Sequence, residues 1–436
     1  MEVTEREMSL CPHEGNGSLL RYFEEGVRQS LHAGEIPVRF VVTSTSAAGA
    51  YRCEFGVLSG ADDVPTVRFD SIFEFVPRLA ENSDEFNAVM IVPTGIGAKI
   101  GGHAGDATPA ARLLASACDT LITHPNVVNA SDINELPENG LYVEGSVLAR
   151  LLMGTVALQR VRSNRVLLAI DKHEDPRISD LAINAASAAR ATLGLDCAVR
   201  MLDRPLRIRG TYSSSGRAVG RVENLEHICG VLADHRAEFD AVAIASVIEV
   251  PHSAHLEYYQ LAGEMVNPWG GAEAMLTHSI SMLFDVPSAH APMIESMEIS
   301  ALEVGVVDPR MAAEAVSTCY LHCVLKGLHR SPQLVTDPTF WGHADTISAA
   351  DVSCLVIPDG CVGLPTLAAL EQGIPVIAVR ENSNQMRNDL RALPFAPGQL
   401  FVVENYLEAV GVMTALKAGV SVSAVRRPLA ATKVSS

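Results

Sequence analysis

No stretch of this 436-residue chain approaches the ~20 uninterrupted apolar residues that a membrane-spanning helix needs. The mean hydropathy of +0.19 is nevertheless high, so the apolar material must lie in many short runs. Basic side chains are scarce: 33 Lys and Arg stand against 51 Asp and Glu, for a formal charge of −18. A nucleic-acid binder needs a basic footprint to displace counterions, and attraction to an anionic membrane needs one too. Neither partner is expected. The nine cysteines form no CxxC pair, and Cys319 and Cys323, four apart, have no second pair nearby. Reduced thiols in a cytoplasmic protein fit this better than a disulfide or zinc framework. Met1–Pro12 carries Glu2, Glu5 and Glu7 and lacks the apolar core of a secretory signal.

Two phosphate motifs are also missing. The glycine-rich stretch 93–106 contains no Gly-Lys-Ser/Thr, and Gly95-x-Gly97 is followed by Ile100 where a dinucleotide fingerprint needs glycine.

What is present is a repeated alternation. Short apolar runs at Phe40–Val42, Val89–Val92, Val166–Ile170, Ala241–Ile248, Cys354–Ile357 and Pro375–Val379 read as strands buried on both faces. Helical spacing separates most of them, over Pro109–Ala117, Ile178–Leu193, Asn224–Ala237, Ala272–Leu283, Arg310–Gly327, Thr366–Gln372 and Tyr406–Ala418. The fold class expected is α/β, with mostly parallel sheets of Rossmann-like βαβ units. Residues 18–33 predict a helix, and Val38–Thr45 with Tyr51–Leu58 a hairpin. Residues 1–85 therefore read as a small α+β region, followed by α/β domains over 86–210 and 211–436. Arg204–Gly220, with four arginines, reads as a junction or flap, and Ile299–Val307 as an extended stretch. A homo-oligomer is expected.

Ligands in such folds bind beyond the carboxyl ends of the strands, so the turns there carry the candidate residues. In the first turn, Gly97, Gly101 and Gly102 let the backbone approach an anion, with Lys99 as its counter-charge and His103 as a proton carrier. Thr108 is placed to cap the following helix. In the second turn, His124, Asn126, Asn129 and Ser131 offer neutral donors and acceptors to a polar ligand. Asp132 is either a helix cap or a ligand contact, and Glu144 a cap or a third wall. In the third, His252 and His255 with Glu249 and Glu257 hold the right atoms for a divalent metal. No recognised zinc spacing is met, so no cofactor is required. In the fourth, Gly270 and Gly271 precede a helix bearing Glu273 and His278. A carboxylate in a first turn answers the helix dipole or does acid–base work. In the fifth, Gly360 and Gly363 flank Cys361 at a strand–turn–helix elbow that suits a nucleophile.

The passages Val92–Asp106, Asp119–Glu144, Asn267–His278 and Ile357–Asn382 resemble domain-of-unknown-function family 3326, over about residues 86–405. This resemblance implies an α/β protein and transfers no reaction. The segment Cys361–Val379 is also similar to the second cysteine motif of aspartate/glutamate racemases and maleate isomerases, which implies a cysteine acting on a small carboxylate. His124-Pro-Asn126 stands where their first cysteine would be. The same segment resembles the Gly-x-Pro-Thr-Leu turn of sugar-nucleotide transferases and epimerases. The expectation is an enzyme acting on a small anionic, carboxylate-bearing metabolite by hydrolase, isomerase or lyase chemistry, with catalytic His103, His124, Glu273 and Cys361. The alternatives are a sugar-nucleotide transferase or epimerase, and a non-catalytic ligand-binding protein.

Overall fold

A computed structural model describes residues 1–13, 15, 17–61, 71–261, 264–343, 345–429 and 431–432. Its centre is a six-stranded parallel sheet in the order Leu400–Val403, Val376–Val379, Val352–Pro358, Asn87–Met90, Thr120–Thr123 and Gly140–Tyr142. The apolar runs expected to be covered on both faces are so covered: every residue of Asn87–Met90, Val352–Pro358 and Val376–Val379 is buried. A second parallel sheet has the order Asp196–Met201, Arg165–Ile170, Ala241–Val247 and Ser288–Met293. The chain is thus α/β with parallel sheets, as its alternation implies.

A third sheet departs from the Rossmann-like expectation. It is antiparallel and orders Arg207–Tyr212, Ala218–Glu223, Glu2–Leu10, Tyr51–Ser59, Ile36–Thr45 and Val362–Gly363. The hairpin expected from Val38–Thr45 and Tyr51–Leu58 forms. The arginine-rich stretch is not a loose flap: Arg207 pairs with Glu223 and Tyr212 with Ala218 in a second hairpin. Polar side chains alternating on a strand that is wet on one face conceal it from an apolar-run reading. Hydrogen-bonded strands in this sheet cross both divisions, at 85 and at 210.

Other local differences have simple causes. Ser288–Met293 is a strand that its small residues and Pro292 hide, and proline is tolerated because this is the sheet's edge. The stretch expected to be extended begins instead with the helical turn Met297–Ser300. The helix expected over Arg310–Gly327 is broken into Pro309–Met311, Ala312–Ala315 and Leu321–His329. At the break, Ser317 Oγ accepts from the Cys319 N–H at 3.2 Å, a local bond that competes with the helix. His252–Gln260 is a helix, not a polar loop. Thr108 is the first residue of its helix, after the cap Ala107, and its hydroxyl donates to the Gly105 carbonyl at 2.7 Å. Asp132 starts no helix; it lies in the turn between the short strands Asn129–Ala130 and Ile133–Asn134. Among the described residues no helix is long and apolar enough to cross a membrane.

Candidate functional site

The carboxyl ends of both parallel sheets open into one cavity of about 480 Å³, closed on another side by the antiparallel sheet. Thr94, His124, Asn126, Glu144 and Cys361 reach it from the six-stranded sheet, and Ile248 and Glu295 from the four-stranded one. Arg39 and Arg217 come from the antiparallel wall. The helix Gly270–Phe284 runs along the cavity and presents Gly270, Glu273, Thr277 and His278. Residues three, four and seven apart share a helix face, which is how one helix brings this set to one space.

Three carboxylate–imidazole pairs face the cavity. Glu273 Oε1 meets His290 Nδ1 at 3.0 Å, and His290 Nε2 meets Ser246 Oγ at 2.9 Å. Glu295 Oε2 meets His255 Nε2 at 3.0 Å. Glu144 Oε1 lies 3.2 Å from His278 Nε2 and accepts from Thr277 Oγ1 at 3.3 Å. Its other oxygen takes the N–H groups of Ser146 and Val147 and the Ser146 hydroxyl, so Glu144 is both helix cap and cavity wall. His278 Nδ1 is buried without a hydrogen-bond partner. Burial holds His278 below the usual imidazole range, with Glu144 opposing.

His124 accepts the Val92 N–H on Nε2 at 3.1 Å, which leaves the ring proton on Nδ1. Burial pushes its pKa down to about 4, and His278 adds to the effect. On the antiparallel wall Arg217 binds Glu5 at 2.6 Å and Glu54 at 3.1 Å, while Arg39 binds Glu5 at 3.0 Å. Arg150 pairs with Asp285 at 2.7 Å.

A second polar cluster begins at the cavity wall with Glu314 and runs behind it. Glu314 is buried on the cavity wall, accepts from the Ala104 N–H at 2.5 Å, and has its pKa pushed up by burial to about 7. Tyr258, which also bonds to Glu314, meets His103 Nδ1 at 2.7 Å. His103 is pushed down to about 4 by burial, then by Arg310, and lies behind the cavity wall.

The glycine-rich turn works differently from the anion loop expected. Its Gly101 and His103 amides donate to Asp106 Oδ1, at 2.9 and 3.3 Å, and its Ile100 amide to Asn382 at 2.9 Å. The carboxylate that this loop cradles is the chain's own Asp106. Lys99 points outward and pairs with Glu264 at 3.3 Å. Gly97, Gly101 and Gly102 are outside the cavity wall, as is Gly360. Gly270 and Gly271 serve close packing: a Cβ on Gly270 would come within 2.4 Å of Thr94, and one on Gly271 within 2.1 Å of the Ala218 carbonyl. Asn267 Oδ1 already accepts the Trp269 and Gly270 amides, at 3.0 and 3.2 Å, so this helix start has few donors left for an anion.

Asn126 lines the cavity but spends its amide on the Val92 and Gly101 carbonyls, at 2.9 and 2.8 Å. Asn129 donates to the Tyr142 hydroxyl at 3.0 Å. Ser131, with φ of +64°, is buried on the cavity wall and its Oγ has no partner. Cys361 and Gly363 line the cavity, but burial pushes the Cys361 thiol well up and Asp359 adds to this, so the elbow does not supply a ready thiolate. His252 is exposed, and its ring centroid is 6.4 Å from that of His255. Among the described residues no group of three or more His, Cys, Asp or Glu is arranged to hold a metal.

Sequence reasoning left out Arg39, Glu295, Glu314, Tyr258 and Ser246. Glu295 follows the strand hidden by Pro292, and Glu314 sits in the helix that proved broken, so neither carried a strand-end signal.

A family model described as "Protein of unknown function (DUF3326)" matches residues 87–426. A protein of Synechococcus sp. (strain ATCC 27144 / PCC 6301 / SAUG 1402/1), called an uncharacterized lipoprotein, is 37% identical over 344 residues. These cover 77% of this chain and 92% of that protein. No solved structure matches the chain.

Proposed function

Because this chain belongs to DUF3326, a protein family of unknown function, we propose its activity from the cavity itself: proton-transfer catalysis on a small polar metabolite. The observation that carries this reading is the set of three carboxylate–imidazole pairs lining one cavity, at 3.0 to 3.2 Å. A buried imidazole bonded to a carboxylate holds that carboxylate in one orientation, which is what proton transfer to a bound substrate requires.

Glu273 is the base in this reading. His290 holds one of its oxygens, Ser246 holds His290 from behind, and the side chain remains 28% exposed. Glu314 is the acid, since burial keeps its proton on up to about pH 7. Two carboxyl groups in such different surroundings divide the two roles. The arrangement suits isomerisation, elimination or hydrolysis next to a carbonyl.

The test is exchange in deuterium oxide. Ligands found by thermal shift are incubated with the protein and followed by NMR and mass spectrometry. Incorporation of deuterium or conversion is expected, with a loss of about 100-fold or more in Glu273→Gln at an unchanged melting temperature. A ligand that is held but neither exchanged nor converted would make the chain a binding protein. Selective stabilisation by UDP would turn the reading toward sugar-nucleotide chemistry.

We also propose a cytoplasmic location, supported by nine free cysteines. Cell fractionation tests it, and recovery with membranes would overturn it.

A further inference from the structure

The cavity's charge does not match a dianionic ligand. Among the described residues, each arginine that lines it is answered by a carboxylate behind it: Arg39 by Glu5, Arg217 by Glu5 and Glu54, Arg150 by Asp285. Three guanidinium groups and three carboxylates cancel. No lysine lines the cavity among the described residues. Among the described residues, the glutamates that line it are held by histidines, hydroxyls and backbone amides and by no cationic side chain other than imidazole. A low-dielectric cavity focuses such an unbalanced field. Glu144 and Glu273 are each partly offset by the helix start at which they stand, whereas Glu295 faces the cavity with only the His255 imidazole against it among the described residues.

Two further observations point to what would occupy this wall. Trp269, four residues before Glu273, lines it and is braced by Tyr258, edge to face at 5.3 Å, and by His255 at 5.4 Å. Tyr259 lines it too. Aromatic faces beside carboxylates attract an ammonium group and offer nothing to a second carboxylate. Ser131, 2% exposed, lines the same cavity with an Oγ that has no partner, a costly arrangement unless a ligand supplies a polar group to it.

We infer that the cavity binds its small-molecule ligand through a protonated amine, seated against Glu273, Glu295 and the Trp269 ring. The inference rests on the same cavity as the proton-transfer reading and names the chemical class of its ligand.

Probes of one spacer length and different end groups separate the possibilities: putrescine, γ-aminobutyrate, succinate and butanediol. Binding to the full chain is read by isothermal titration calorimetry at neutral pH, without need of turnover. The two amines are expected to bind at least about ten-fold more tightly than succinate or butanediol. Glu295→Gln should weaken the amines about five-fold or more and leave succinate no weaker, with Glu273→Gln as a second variant. Melting temperatures confirm that each variant is folded. Tighter binding of succinate, amine affinity unchanged in both variants, or no saturable binding of either amine overturns the inference. Amine binding without deuterium exchange would sink the catalytic reading alone, and exchange on a dicarboxylate would sink the amine alone.

Discussion

Glu314 and Cys361 show how far one residue's chemistry depends on where its side chain ends up. Burial raises Glu314 from 4.5 to about 7. Between these values the folded state holds a proton that the unfolded state has lost, so this group makes stability fall as pH rises. Glutamine mimics the protonated form. Glu314→Gln should therefore gain stability relative to the parent from about pH 5 to 7 and level off above, by up to a few kcal/mol in urea unfolding. A constant difference across that range would contradict the burial account. His103 and His124, lowered to about 4, act in the opposite sense and cost stability as pH falls below their ordinary 6.5. Cys361, sealed in and pushed well up, should resist thiol reagents in the folded protein, whereas exposed Cys11 should react first. Peptide mapping after brief iodoacetamide treatment reads the order. In the sequence, Glu273, His124 and His278 were legible as candidates because they follow strands or open a helix. Lys99 and His103 shared that signal and lie off the cavity, because neighbour identity does not reveal the direction of a side chain.

The helix Gly270–Phe284 owes its position to close packing, and that is a property of the element. Gly271 touches the Ala218 backbone and Gly220 touches Ala272, so this helix and the strand Ala218–Glu223 approach nearer than side chains would allow. Gly271→Ala should displace the helix and cost about 2 kcal/mol or more. Gly230→Ala, on an exposed face of Leu225–Asp234 with nothing within 4 Å, should stabilise by about 0.5–1 kcal/mol. Urea midpoints of the two variants check the contrast, and equal effects would mean that Gly271 is not a contact glycine. Helices and strands with strong apolar periodicity were legible at this scale, among them Pro176–Leu193 and Val352–Pro358. The strand Ser288–Met293 and the hairpin of Arg207–Tyr212 with Ala218–Glu223 were not. Both lie where one face is wet or at an edge, and there the apolar pattern thins out.

Across the whole molecule, the antiparallel sheet ties distant parts of the chain together. Glu2–Leu10 pairs along its length with Tyr51–Ser59 and at its start with Ala218–Glu223. Its Glu5, with Glu54 of the neighbouring strand, neutralises buried Arg217. Deleting residues 1–85 would leave that guanidinium in the wall with no counter-charge, a strongly destabilising change. The fragment 86–436 is expected not to fold, which soluble expression and circular dichroism would establish. A cooperative melt near the parent's would show that the parallel sheets stand alone.

The sequence by itself determined the α/β class, the buried parallel strands and the family. It did so because burial on both faces and helical period are written in adjacent residues. The opposite holds for what is scarce in the chain. A shortage of positive charge says little about a site until the pairing of each arginine is known. Only the tertiary structure decided that the glycine-rich loop cradles its own Asp106, that Arg39, Arg150 and Arg217 on the cavity wall are already matched, and that three carboxylate–imidazole pairs share one cavity. These facts depend on contacts between residues far apart in the chain, such as Arg217 with Glu5 and His290 with Glu273, which no local pattern records.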